Sequence, residues 1–212
     1  MLTVYGRRNS SSVQLVMWTI HELGLNHQRL DYGHGYAPAH TEEFRAKNPM
    51  GRVPVIEDGS FCMFESAAIL RYLSAEHGDD RFWPRDLRRR GTLDTWAEWG
   101  KNTFSEVVLD IFAYDVRLSP DHRDPAILAN AVNTLRRLAA MLDARVAGGP
   151  WIGAEDFTFA DIACGHILYR YFTLDWDRPN LMALAAYYKR LQERAAYRDH
   201  VMVSYESLRG SY

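Results

Sequence analysis

Apolar residues change their spacing along the chain in a way that divides it into two parts. "LTVY" (2–5) is a short apolar run that reads as a strand. Beyond it, Val13, Val16, Met17, Ile20 and Leu23 recur at three- and four-residue steps, the signature of one buried helix face, and Gly24 supplies a stop. "HQRLDY" reads as a second strand, a polar stretch with Gly and Pro follows (33–41), and "TEEFRAKNP" predicts a short helix that Pro49 ends. "GRVPVIEDGSFCMFES" holds two β-rich pieces about Asp58-Gly59, a dipeptide suited to a tight hairpin turn. Proline has no N–H to donate, so Pro54 puts the first piece at a sheet edge or at its own first position. Helical spacing returns from Ser66 to Ala75. This order of elements predicts a small α/β sheet domain over residues 1–78.

After a break at "EHGDDRFWPRD" the pattern is helical throughout, which predicts an all-α second domain over 88–212. Leu128, Val132, Leu135, Leu138, Leu142 and Val146 form a buried stripe. "FTFADIACGHILYRYF" opens with Thr158 and Asp161 at capping-box spacing, and Phe157 and Ile162 are placed to form a hydrophobic staple. "LMALAAYYKRLQERAAY" is a further amphipathic helix.

Composition narrows the function classes. Of 212 residues, 47% are hydrophobic and 25% charged, and a formal charge of -2 argues against nucleic acid as the main partner. The basic run "RDLRRR" reads as a solvated face. Cys62 and Cys164 lie too far apart in sequence to suggest a disulfide framework, and neither sits in a metal-binding spacing. Cys62, within an apolar strand pattern, reads as a small buried hydrophobe. The chain shows no leader pattern, and no apolar run approaches roughly 18 residues, so a soluble, cytoplasmic protein is expected, with no membrane and no metal.

The chemistry lies in the first strand-to-helix turn, "YGRRNSSSVQLVMW". A helix N-terminus leaves N–H groups unpaired and carries partial positive charge, so it stabilises an anion. A serine hydroxyl there can donate to that anion. If the anion is a thiolate, lowering a thiol pKa of about 8.5 by two units takes about 2.7 kcal/mol, within reach of a charge-assisted hydrogen bond plus a helix dipole. One serine as an N-cap and the others as turn residues is the competing reading. Arg7 and Arg8 are expected in solvent, with positive potential near an anionic ligand as the alternative. No Gly-x-Ser-x-Gly elbow is present, which leaves serine-hydrolase chemistry without support. In the hairpin region, Pro54 between two valines suggests a rigid backbone edge, with a cis peptide as one option, able to pair with a peptide-like ligand. Glu65 and Ser66, at the next strand-to-helix passage, suit an ammonium and a carboxylate, with a surface glutamate and a serine N-cap as the competing reading.

Together these segments resemble the glutathione transferase superfamily. "LTVYGRRNSSSVQLVMWTIHELGL" is similar to its first strand and helix, "NPMGRVPVIEDG…FESAAILRYL" to its glutathione-binding core, and "FTFADI" to its capping-box helix. The resemblance covers essentially the whole chain. It implies a thioredoxin-like N-terminal domain joined to an all-α C-terminal helical domain, with glutathione as co-substrate. Ser10 would hold the glutathione sulfur as a thiolate, with Ser11 second in line. Ser12 stands where many bacterial members have asparagine. Val53, before Pro54, would pair with the cysteinyl backbone, Glu65 and Ser66 would hold the γ-glutamyl end, and Arg52 and His40 would face the glycyl carboxylate. The expected reaction is conjugation to a small hydrophobic electrophile, placed between the domains against some of Trp96, Trp99, Phe104, Phe112 and Tyr114. A homodimer is expected. A glutathione-dependent isomerase, a disulfide-bond reductase and a non-catalytic protein-binding module are the alternatives.

Overall fold

The computed structural model describes residues 1–211. Four strands form a mixed sheet in the order β2-β1-β3-β4, with β1 (Leu2–Tyr5), β2 (His27–Leu30), β3 (Val55–Asp58) and β4 (Phe61–Phe64). β1 runs parallel to β2 and antiparallel to β3, and β3 pairs antiparallel with β4. Helices α1 (Ser11–Glu22), α2 (Glu42–Lys47) and α3 (Ser66–His77) complete this unit. Proline behaves as its chemistry requires: β3 begins immediately after Pro54, which lets it sit inside the sheet without losing a ladder bond. The hairpin turn falls on Gly59-Ser60, because Asp58 pairs with Phe61, and Gly59 takes the left-handed φ of 61°.

The remainder is helical. α4 (Leu87–Glu98) continues through a wider π-type turn at Trp99–Phe104 into α5 (Ser105–Phe112), and a second such turn follows at Ala113–Arg117. Then come α6 (Pro125–Val146), α7 (Phe159–Gly165), α8 (Leu168–Thr173), α9 (Met182–Glu193) and α10 (Ala195–His200). The α4–α5 rod lies close against α7. A Cβ on Gly100 would come within 2.6 Å of Cys164 Sγ and 3.0 Å of its Cα, so only glycine lets the two backbones approach. The capping box at Thr158 and Asp161 is present, and every residue of α7 is buried. The α6 stripe is buried at Leu135, Leu142 and Val146, joined by Ala139, while Leu128, Val132 and Leu138 are partly covered.

One hydrophobic core runs through both units, and α1 is its bridge. Trp18 is fully buried between them, its ring 4.8 Å from that of Tyr197 on α10. Its indole N–H donates to Glu22 Oε1 (2.8 Å), and Arg194 grips the same carboxylate through Nε (2.7 Å) and Nη2 (2.5 Å). Among the described residues no helix is long and apolar enough to cross a membrane. One expectation is corrected here: Cys62 is exposed, not buried. β4 is an edge strand, and Phe61 beside it is also exposed, so apolar character in that strand does not report core burial.

Candidate active site at the end of the sheet

Strand register alone gathers the predicted segments. Tyr5 pairs with Val55, and Val55 with Phe64. The chain leaving β1, the residues entering β3 and the residues leaving β4 therefore meet at one end of the sheet. These are the Gly6–Ser11 turn, Val53-Pro54 and Glu65-Ser66. Gly6 permits the close approach: a Cβ there would lie 2.4 Å from Val13 Cγ2 and 3.3 Å from Val53 Cβ.

In the first turn, Ser10 N–H donates to Arg7 O (3.2 Å) and Gln14 N–H to Ser10 O (2.8 Å). Ser10 is the N-cap of α1 by backbone conformation (φ -84°, ψ 123°), yet its hydroxyl makes no capping bond among the described residues. The first turn of α1 holds no acidic residue, so its positive end is not offset from within the helix. Ser10 and Ser11 both line a cavity of about 270 Å³ together with Arg7, Leu109, Phe112, Ala113, Arg117 and Arg170. Ser12 does not line it. Tyr5 offers no competing hydroxyl. Its phenol donates to Glu57 Oε2 (2.6 Å), and this bond, with burial behind it, pushes its pKa up to about 12. Glu57 is held in turn by Lys47, which ties α2 to the sheet.

Arg7 departs from expectation: it is buried rather than solvated, whereas Arg8 is exposed and donates to Asp199 O (3.0 Å). Arg7 faces inward because α5 and α8 close over the turn, a long-range fact absent from its local sequence. Arg170 is also buried, donates through Nη2 to Asn9 O (2.8 Å) and stacks over the Phe112 ring at 4.1 Å. Burial, then the nearby Arg117 and Arg7 charges, bring its pKa down to about 9. Of the five candidate aromatics Phe112 alone lines this cavity. Arg117 and Arg170 were not read from the sequence. Only Arg170 left a signal there, as a lone cation inside the apolar run "HILYRYF".

At the second segment the Val53–Pro54 peptide is cis, with Pro54 buried and Val53 half-buried. Asn48 clasps the preceding loop, donating to Arg52 O (2.7 Å) and accepting from Met50 N–H (3.0 Å). Arg52 and His40 are both exposed on neighbouring loops, which touch where a Cβ on Gly51 would come 2.9 Å from Ala39 O. At the third segment Glu65 is exposed and holds φ at 68°, in the left-handed region a non-glycine residue rarely adopts. Ser66 is buried as the first residue of α3, and that helix also has no acid in its first turn. The end of the sheet thus presents two helix N-termini, a proline-fixed backbone edge and a row of polar side chains.

Comparison with known proteins places this arrangement. The sequence model described as "Glutathione S-transferase, N-terminal domain" matches residues 1–75. The chain is 35% identical over 208 residues to Glutathione S-transferase GstB of Escherichia coli K12, covering 96% of this chain and 99% of that one. It is 26% identical over 163 residues to Glutathione S-transferase 4 of Zea mays, covering 76% and 73%. Among solved structures, the theta class glutathione S-transferase of Xanthomonas axonopodis pv. citri with glutathione bound superposes with a TM-score of 0.90. Its identity is 35%, with 96% of this chain and 98% of that chain covered.

Proposed function

Because the chain belongs to the glutathione S-transferase superfamily and has its thioredoxin-like plus helical architecture, it is a glutathione transferase, and we propose that Ser10 and Ser11 hold the glutathione sulfur as its reactive thiolate. The observation that carries this reading is the Ser10 hydroxyl at the N-terminus of α1: it makes no capping bond among the described residues, and it lines the cavity between the units. A thiolate there would accept from a serine hydroxyl and meet the positive end of a 12-residue helix. Tyr5, engaged with Glu57, is not the activating hydroxyl.

In the same reading residues 1–78 bind glutathione. Val53, before Pro54, pairs with the cysteinyl backbone, Glu65 meets the α-ammonium, and the Ser66 hydroxyl with the α3 N-terminus meets the γ-glutamyl carboxylate. Arg52 and His40, on the exposed loops that meet at Gly51 and Ala39, face the glycyl carboxylate. The helical unit, 88–212, supplies the electrophile side through Leu109, Phe112 and Ala113. The remaining reaction is attack by a positioned thiolate, driven by ionisation and proximity. The protein works in the cytoplasm as a homodimer, for which exposed Met50 and Phe61 supply apolar surface.

The test follows the ultraviolet absorbance of bound glutathione thiolate against pH. The wild type is expected to ionise the thiol about two units below its free value, and Ser10→Ala to reverse most of that shift, a difference of about 2.7 kcal/mol. A thiol that ionises at its free pKa in the wild type would refute the reading. Reversal by Ser11→Ala alone would move the role to Ser11.

A further inference from the structure

The Ser10 hydroxyl makes no capping bond among the described residues, so its direction is inherited from the backbone that carries it. We propose that Arg170, on α8, is the positioning residue that aims this hydroxyl at the sulfur, and that it acts through the Asn9–Ser10 peptide. This rests on the Ser10 reading and adds the group that sets its geometry.

A peptide unit is planar, so holding the planes on both sides of a residue fixes its φ and ψ, and these decide the rotamers open to its side chain. On the helix side of Ser10 the plane is set by Gln14 N–H donating to Ser10 O (2.8 Å). On the turn side it is the Asn9–Ser10 peptide that must be held. Its N–H donates to Arg7 O (3.2 Å), a bond local to the turn. Its C=O accepts from Arg170 Nη2 (2.8 Å), from a residue 161 positions further along the chain, and this bond ties the plane to the helical unit. The Asn9 side chain donates to Ser207 Oγ (3.0 Å), which fixes where Asn9 lies and leaves its carbonyl free to rotate about ψ. The direction of that carbonyl therefore falls to Arg170. The guanidinium is itself restrained: it is buried, 4.1 Å from the centre of the Phe112 ring and 5.9 Å from that of Tyr205. An unbranched apolar side chain would fill this place without the cost of burying a charge. What arginine adds is a charge-assisted donor whose N–H directions are fixed by a planar fork. Phe112 also lines the cavity, so one side chain connects the serine turn with the apolar wall on the electrophile side.

The test is a double-mutant cycle between Arg170→Met and Ser10→Ala, read by the ultraviolet titration of bound glutathione thiol. Methionine keeps an unbranched side chain and removes the donor. Arg170→Met alone is expected to raise the bound thiol pKa by about one unit, a tenfold loss of ionisation. In the Ser10→Ala background the same substitution is expected to add nothing, because the hydroxyl it aims is gone. An unchanged pKa in Arg170→Met would overturn the proposal. So would an equal rise with and without Ser10, since the guanidinium charge would then act on the thiolate directly. Calorimetry at about pH 5.5, where bound glutathione is mostly thiol, separates aim from shape. Affinity there is expected to stay within about twofold of wild type, and a tenfold loss would assign Arg170 to the shape of the binding site and overturn the proposal. If Arg170→Met does not fold, Arg170→Lys, which keeps the charge and loses the planar fork, takes its place in the same cycle under the same outcomes. Ser10→Ala without effect on the thiol would retire the Ser10 reading and this inference with it. A rise in Ser10→Ala that Arg170→Met fails to share would retire this inference alone.

Discussion

Glu65 shows at the scale of one residue how the site differs from its surroundings. A left-handed φ costs a non-glycine side chain on the order of 1–3 kcal/mol, and that strain persists only where the surrounding structure enforces it. Here the corner between β4 and α3 enforces it, and the side chain is delivered to solvent beside Ser66. Glu65→Gln keeps the shape and removes the charge. Glutathione affinity is expected to fall about tenfold or more, the scale of a lost charge-assisted bond, while the melting temperature stays within a degree or two. Calorimetric titration with glutathione and a thermal melt check both halves. The places of these residues were legible in the sequence because they attach to short segments: Ser10 and Ser11 to a turn, Pro54 to a strand start, Glu65 and Ser66 to a strand-to-helix passage. Arg7 was not legible, since nothing within five residues of it reports that α5 and α8 will cover it.

Elements were readable where a local rule dominates and not where packing does. The α7 capping box is the clear success. Asp161 accepts from Ile152 N–H and Thr158 N–H (2.8 Å each), from the Thr158 hydroxyl (3.1 Å) and from Tyr187 OH (3.0 Å). Burial still pushes its carboxyl up to about 6 against the pull of those donors. Asp161→Ala strands several buried donors at once, so a loss of about 3 kcal/mol is expected, read as a lower guanidinium midpoint at unchanged slope. The exposed face of β4 is the clear failure, because an apolar edge strand and an apolar core strand share one pattern. The π-type turns at Trp99–Phe104 and Ala113–Arg117 also left no mark, as one extra residue per turn barely alters helical spacing.

At the scale of the molecule, α1 joins the units, and the junction is expected to respond to pH. His21 on α1 lies 3.9 Å, ring to ring, from His200 on α10 and 5.2 Å from His27 on β2, with Arg8, Arg29, Glu22 and Asp199 around them. Burial lowers the His21 pKa and, with the His21 charge, brings that of His200 down to about 4. Folded-state values below the unfolded 6.5 mean that the unfolded chain takes up protons first. Stability is then full above about 6.5 and falls as pH drops toward 4. A loss of about 1 kcal/mol between pH 7.5 and 5 is expected after allowance for solvent screening, and His200→Gln should flatten that dependence in guanidinium titrations. The same helix carries Ser10 at one end and the Glu22–Arg194 grip at the other. Twelve residues make a rod of about 18 Å. Pivoted at the grip, a tilt of about 10° would sweep the serine end through about 3 Å, more than a hydrogen bond tolerates. If Ser10 holds the sulfur as proposed, the Glu22–Arg194 grip, together with the buried face of α1, helps keep it aimed without touching the reactants.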